Sequence, residues 1–328
     1  MSRAYGWCAS ARIAKVAAAV VLASGAGVAT AQQAFPVKPV RIVTSQAGGG
    51  SDFTVRLMAQ GLTEIWGQPV VVDNRGGGII AGEIVSRAPP DGYTLIYYGS
   101  TLWLLPLIRK DVPYDTAKDF APVIEAVSTP AILVAHPGVP VRSVQDLIAL
   151  AKAKPGALNY GSAAVGTATH MSMELFKHLA GIDILRVPYK GTGGALNDLL
   201  GGRVQLMFAV AAAVATHVRT GKLRALGITS SRPSPAFPNL PTIASAGVPG
   251  YEALQFSGVF APAKTPRATV ERLNADMRRV LNSPAVKQRI TSSGAEVAAG
   301  TPAEFAKRIQ TDVAVLGKVI RAAGIREE

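Results

Sequence analysis

The sequence holds one cysteine in 328 residues, Cys8, and that residue precedes an apolar stretch instead of following it. It is therefore badly placed for a lipoprotein cysteine, and the rest of the chain can form no disulfide, thiolate metal site or cysteine nucleophile. Histidine is sparse as well. His136, His170, His178 and His217 show no metal-ligand spacing, and His170 and His178 stand eight residues apart, beyond a helical i, i+4 chelate. No metal and no cofactor is expected. Nucleotide and hydrolase signatures are missing too: there is no Gly-Lys-Ser/Thr P-loop, no spaced G-x-G-x-x-G and no G-x-S-x-G elbow. An enzyme acting on a small acid would need a convergent acid, base or nucleophile group, and the sequence supplies none.

Long apolar runs are confined to the start. Arg3, Arg12 and Lys15 give a basic opening, Val16 to Val28 is apolar but broken by Gly25 and Gly27, and Ala29-Thr30-Ala31 fits a small-residue cleavage site. The run is shorter than the roughly 20 residues of a spanning helix, which disfavours the alternative of a membrane anchor. Residues 1–31 therefore read as a signal peptide, leaving 328 − 31 = 297 residues exported. A cysteine-free exported chain of that size suits a bacterial periplasm. The formal charge is +13, or 13 − 3 = +10 without the leader. The longest basic pairing is Arg278-Arg279, with no Lys/Arg stripe and few interleaved aromatics, so no nucleic-acid partner is expected. A solvated basic surface that weakly favours small anions is the simpler reading.

What the sequence does have is alternation. Val40–Val43, Pro69–Asp73 and Tyr93–Tyr98 read as strands, separated by a helix with Val55, Met58, Leu62, Ile65 and Trp66 on one face and a second over Ile80–Arg87. The pattern restarts at Ser143, whose Asp146 replaces the usual Glu of a capping box, and strands follow near Leu158–Tyr160, Leu185–Val187, Val204–Phe208 and Leu223–Thr229. Such alternation predicts parallel sheets flanked by helices. Val123–His136 and Tyr251–Pro262 read as two crossover segments. Domain 1 is then discontinuous, 32–130 plus 256–328, and domain 2 is 131–255. The tail is helical, with Thr301-Pro302-Ala303-Glu304 as a capping box.

Three glycine-rich turns fall between a predicted strand and a predicted helix: Ala47-Gly48-Gly49-Gly50-Ser51-Asp52, Gly161-Ser162-Ala163-Ala164-Val165-Gly166-Thr167 and Tyr189-Lys190-Gly191-Thr192-Gly193-Gly194. Glycines admit an anion to the backbone, and a helix start offers unpaired N–H groups and a positive dipole end. In doubly wound sheets such turns gather at the carboxyl ends of the strands, where ligands bind. His170 falls in the first turn of a helix that opens on this expected cleft. Four or five hydrogen bonds to a charged group, each contributing about 1.5–3 kcal/mol, would support micromolar binding at about 8 kcal/mol.

These turns, with VVVDNR at Val70–Arg75, PDGYTL at Pro90–Leu95, YGSAAVGTATHMSMELF at Tyr160–Phe176, VPYKGTGGALNDLLGG at Val187–Gly202 and GVFAPAKTP at Gly258–Pro266, resemble the extracytoplasmic solute receptors of tripartite tricarboxylate transporters, often called Bug receptors. The resemblance covers almost the whole exported chain. It implies an α/β, type II periplasmic-binding-protein fold: two doubly wound domains joined by two crossover segments, closing on the ligand as a hinged clamp. It also implies that a carboxylate is held mainly by backbone groups of the turns at Ser45, Gln46, Ala47, Gly48, Gly49, Gly50, Ser51 and Asp52 and at Ser162, Ala163, Val165, Gly166 and Thr167. The rest of the ligand would be read by Ser100, Thr101, Tyr189, Lys190 and the segment from Gln205 through Ala209 to Val210. The implied partners are the permease subunits of such a transporter or, alternatively, a sensor protein, with the receptor itself a monomer.

Four departures stand out. Thr44-Ser45-Gln46 replaces a Pro-Phe-Pro-like entry, Ala164-Val165 replaces Gly-Asn, Gln205 and Ala209 replace aspartates, and the glycine stretch after Asn74-Arg75 is about two residues short. A pocket with fewer acids favours a mono- or dicarboxylate with an apolar body over an amino acid.

Overall fold

A computed structural model of the protein describes residues 35–76, 78–233 and 237–326; the expected signal peptide, its expected cleavage site and Cys8 lie outside the described residues. In chain order the elements are β1 (Val40–Thr44), α1 (Gly50–Trp66), β2 (Val70–Asn74), α2 (Gly78–Ser86), β3 (Thr94–Gly99), α3 (Thr101–Ile108), α4 (Thr116–Asp119), β4 (Phe120–Ala135), α5 (Val144–Ala153), β5 (Asn159–Ser162), α6 (Ala168–Ala180), β6 (Leu185–Pro188), α7 (Thr192–Leu200), β7 (Leu206–Val210), α8 (Ala211–Arg219), β8 (Arg224–Ile228), β9 (Leu254–Pro262), α9 (Arg267–Leu281), α10 (Pro284–Ser292), β10 (Glu296–Val297) and α11 (Pro302–Ala322). All lie in the compact unit Lys38–Glu328. No helix among the described residues is long and apolar enough to cross a membrane.

The strands run in the order β2-β1-β3-β9-β4-β7-β5-β6, with β8 and β10 also paired to β4. The same local order occurs twice. β1 lies between β2 and β3, β5 lies between β6 and β7, and all four of these pairings are parallel. The first strand of each set is apolar enough to be enclosed: Val40, Ile42 and Val43 are fully buried, as is Tyr160. At each central strand the connections depart in opposite directions, so a crevice opens beyond its carboxyl end.

β4 and β9 join the two sets, antiparallel to their neighbours. Along the 16 residues of β4, Phe120–Pro130 pairs with β9, whereas Ala131–Ala135 pairs with β7. The strand thus changes partner between Pro130 and Ala131. The expected crossover segments are these two strands. A second core, with Ile132, Val134, Leu199, Met207 and Val214, lies under α7 and α8.

Several helix boundaries follow the expected chemistry. α1 ends at Gly67, whose φ of 61° places it in the left-handed region. The Thr301 capping box is complete: Thr301 Oγ1 accepts from the Glu304 N–H, and Glu304 Oε2 accepts from the Thr301 N–H. At Ser143 the box is partial, because Asp146 is one methylene shorter and accepts from the Arg142 N–H instead. α3 is an element the periodicity gives no sign of. Its sequence TLWLLPLI is apolar on all sides, and five of its residues are buried. Pro106 within it cannot donate to Leu102 O. The Thr116 hydroxyl donates to that carbonyl instead, at 2.8 Å.

Candidate functional site

The turn after β1 is fixed from beneath by side chains. Asp52 Oδ2 accepts from the Gly48 N–H at 3.0 Å, while Oδ1 accepts from Arg56 Nε and Asn74 Nδ2, both at 2.9 Å. Asn74 Nδ2 also donates to Ser45 O at 2.8 Å. The hydrogen bond from Arg56 is the main reason the Asp52 carboxyl is held down at about 2, against the opposing effect of burial. Gly48 has φ 81°, a left-handed conformation that admits glycine readily. The first helical bond runs from Phe53 N to Gly49 O, which leaves the amides of Gly50, Ser51 and Asp52 without an intrahelical acceptor.

The turn after β5 is held in a different way. Arg186 on β6 donates from Nε to Ser162 Oγ at 2.9 Å and from Nη2 to Ala163 O at 2.7 Å. His170 Nδ1 accepts from the Gly166 N–H at 3.2 Å. Burial, with the nearby charges of Arg186 and Lys177, depresses the His170 pKa to about 3, so its imidazole is neutral at ordinary pH. A neutral ring can accept that bond, whereas an imidazolium cannot.

These turns face a cleft of about 630 Å³. Ser45, Gly48, Gly49, Gly50, Ser51, Phe53 and Thr54 come from the first turn and α1; Ala163, Thr167, Ala168 and Thr169 come from the second turn and α6. Ser100 and Thr101 open α3, Thr192 opens α7, and Val210 precedes α8. Five helix starts therefore meet at one cavity, and none of the five has a side-chain cap. By contrast α4, α5 and α11 are capped by Asp115, Ser143 and Thr301, while α9 and α10 begin next to Pro266 and Pro284. Among the described residues, no Lys, Arg, His, Asp or Glu lines the cleft. Its positive character comes from amides and helix dipoles.

Of the residues expected at the site, Ser45, Gly48, Gly49, Gly50, Ser51, Ser100, Thr101, Ala163 and Thr167 line this cleft. The others take different places. Gln46, Ala47 and Lys190 are exposed outside it. Asp52, Ser162, Gly166 and His170 are buried behind the turns they brace, and Val165 packs on the main core. The Tyr189 hydroxyl donates to Asp198 at 2.7 Å. Gln205 Oε1 accepts from the Asn159 N–H at 2.7 Å, at the beginning of β5 and β7 and so at the opposite end of the strands from the turns. Ala209 is 2% exposed in the second core, and its neighbour Val210 lines the cleft instead.

Sequence reasoning missed the wall opposite the turns. Tyr97 and Tyr98 of β3, Val127 and Thr129 of β4, Gln255, Phe256 and Ser257 of β9, and Ser293 and Ala295 beyond α10 complete the lining. Tyr97 Oη and Ser257 Oγ share a hydrogen bond of 2.7 Å, and burial raises the phenol to about 12, so it stays protonated. The available signal was polar: Thr129, Gln255 and Ser257 stand within mainly apolar crossover strands.

Residues 54–325 match the family described as tripartite tricarboxylate transporter family receptor. Protein BugT of Bordetella pertussis (strain Tohama I) is 34% identical over 96% of this chain and 98% of its own. A protein encoded in the tcbD-tcbE intergenic region of Pseudomonas sp. (strain P51) is 36% identical over 93% of each chain. Among solved structures, R. palustris Rpa4515 with adipate superposes with a TM-score of 0.78 at 38% identity, covering 89% of this chain and 99% of that one. MatC (Rpa3494) from Rhodopseudomonas palustris with bound malate gives 0.75 at 31%, covering 87% and 100%. The chain belongs to the tripartite tricarboxylate transporter receptors, a family of periplasmic solute-binding proteins and not of enzymes.

Proposed function

We propose that the protein captures a small carboxylate with an apolar body, a mono- or dicarboxylate and not an amino acid, and delivers it to the membrane permease of a tripartite tricarboxylate transporter. The observation that carries this is the convergence of five uncapped helix starts on a cleft without charged side chains. Amides solvate a carboxylate well and offer nothing to an ammonium group, and no acid stands in the cleft to receive one. Phe53, Tyr98, Val127, Val210 and Phe256 offer the ligand body an apolar surface. The adipate and malate bound by the two structural relatives support the same ligand class.

In this reading the glycine turns carry the carboxylate and the β3, β4 and β9 wall sets the length and polarity of the remainder. The chain is exported to the periplasm by residues 1–31. It closes as a clamp of two lobes, 32–130 with 256–328 and 131–255, hinged on β4 and β9 near the point where β4 changes partner. The receptor acts as a monomer.

A thermal-shift screen of the exported chain against organic acids, aromatic acids and amino acids tests the ligand class. Dicarboxylates with an apolar spacer such as adipate are expected to raise Tm by mass action, a rise lost in Gly49→Glu, and cationic amino acids to give no response that this variant removes. A response to cationic amino acids alone that Gly49→Glu abolishes would overturn the reading. Gly49→Glu places a carboxylate at the start of α1, and only Gln46 O, at 3.7 Å, lies near the site of its Cβ. This variant is expected to fold and lose the adipate response; retained affinity would put the ligand elsewhere.

A further inference from the structure

A second cavity, of about 650 Å³, lies between α11, α6, β4 and the residues entering β9. It shares Ser100, Ala168 and Phe256 with the cleft but has the opposite chemistry. Six ionisable side chains line it: the acids Glu125, Glu252, Glu304 and Asp312 against the bases Lys307 and Arg308. That acid excess occurs in a chain with 34 basic and 21 acidic residues. Glu304 is committed to the α11 cap, and Glu252 and Lys307 are exposed. The inner groups are Glu125, Arg308 and Asp312.

Their charges are poorly matched. Glu125 is 7% exposed, and the cation beside it is Arg308, whose Nε stands 3.5 Å from Oε2. That Nε makes no hydrogen bond among the described residues, and the guanidinium lies over the Phe256 ring at 4.6 Å. Asp312 Oδ2 accepts from Trp103 Nε1 at 2.6 Å. Burial raises the pKa of both acids, Asp312 to about 6. Two carboxylates served by one loosely held guanidinium leave negative charge in a poorly solvated space, a cost that an added cation offsets. Among the described residues no group of three or more His, Cys, Asp or Glu is placed to hold a metal ion. The remaining lining includes Met171, Leu175, Leu254 and Leu316, which suits an organic cation.

We propose that this cavity binds a small organic ammonium ion with an apolar body, its charged group between Glu125 and Asp312 and its body on Met171, Leu175 and Leu254. The site stands independently of the carboxylate reading. Its test uses n-butylammonium chloride and the exported chain carrying Trp66→Phe, in which Trp103 is the one remaining tryptophan. Because the Trp103 indole N–H is bonded to Asp312, binding is expected to give a saturable change in Trp103 emission and a rise in Tm, neither reproduced by potassium chloride. Affinity is expected to fall at least tenfold in Glu125→Gln and in Asp312→Asn, which keeps an acceptor for Trp103, while the adipate response of both variants persists. Should either variant misfold by circular dichroism, Ala253→Leu, which fills the cavity without touching the acids, is expected to abolish the same response. No saturable response, one matched by potassium chloride, or one unchanged in the folded variants would overturn the proposal.

Discussion

His170 and Asp52 sit at equivalent places in the two turns and make the molecule sensitive to acid in successive, overlapping pH ranges. The folded His170 pKa is depressed from 6.5 to about 3, so the unfolded chain binds the extra proton throughout that interval. Stability therefore rises with pH across the window and is lost as pH falls below 6.5, by up to about 1.4 kcal/mol per pH unit. Asp52 is depressed from 3.8 to about 2, so its contribution is present above 3.8 and lost as pH falls toward 2. Between pH 6.5 and 5 only the histidine of this pair contributes, at about 2 kcal/mol. Urea unfolding at pH 7.5 and pH 5 is expected to show that difference shrink in His170→Gln, whose amide oxygen can still accept from Gly166. An unchanged difference would place the acid sensitivity in other groups.

At the scale of the element, the second turn depends on a neighbouring strand. Arg186 holds Ser162 and Ala163 through a two-pronged grip, and its charge lies behind the amides that face the cleft. Arg186→Met is expected to weaken adipate binding at least tenfold in isothermal titration. Arg186→Lys, which restores charge without the fork, should recover part of that loss, whereas a purely packing role predicts no recovery. The turns were legible in the sequence because glycines between a strand and a helix have few other uses. Their braces were less so. Asp52, Asn74, Arg186 and His170 are ordinary residues whose roles depend on contacts such as the 24-residue separation between Ser162 and Arg186. The strands β1, β2 and β3 were readable from β-branched runs, and β5, β6, β7 and β8 from short apolar stretches set between helical ones. α3 was not, since a helix apolar on every side shows no period, and the cleft wall on β4 and β9 was hidden inside segments read as connections. Gln205 and Ala209 show the opposite problem. Their alternation along β7 is visible, but only the register tells that Gln205 is at the far end and that Ala209 faces the core.

At the scale of the whole molecule, two glycines mark where the rims of the cleft meet. A Cβ on Gly166, φ 75°, would stand 2.9 Å from Ile108 Cδ1 of α3, and one on Gly294, φ 84°, would stand 3.1 Å from Ala212 Cβ of α8. Both contacts join the β1–β3 side to the β5–β7 side, so both would part in the proposed opening of the clamp. Gly294→Val adds bulk at such a contact and on a left-handed residue in a loop. It is expected to favour the open form: a larger radius of gyration in adipate by small-angle scattering, with weaker binding and a circular dichroism spectrum unchanged. Equal radii for wild type and variant under saturating adipate would show that this contact does not govern closure.

In the proposed binding mode the anion half of the cleft is built from main-chain amides, and of all codon changes only one to proline removes such an N–H. Ser100, Thr101, Thr167 and Thr192 can each be exchanged for any residue but proline without deleting an N–H, whereas Thr129, Gln255 and Ser257 on the opposite wall sit on paired strands and would meet a ligand through their side chains. Inheritance therefore acts unequally on the two halves of one site. A gene duplicated from this one would keep its hold on the carboxylate by default and be free to drift in what the carboxylate is attached to. A new nutrient specificity is then a matter of a few substitutions on β4 and β9, with the fold and the capture chemistry left in place.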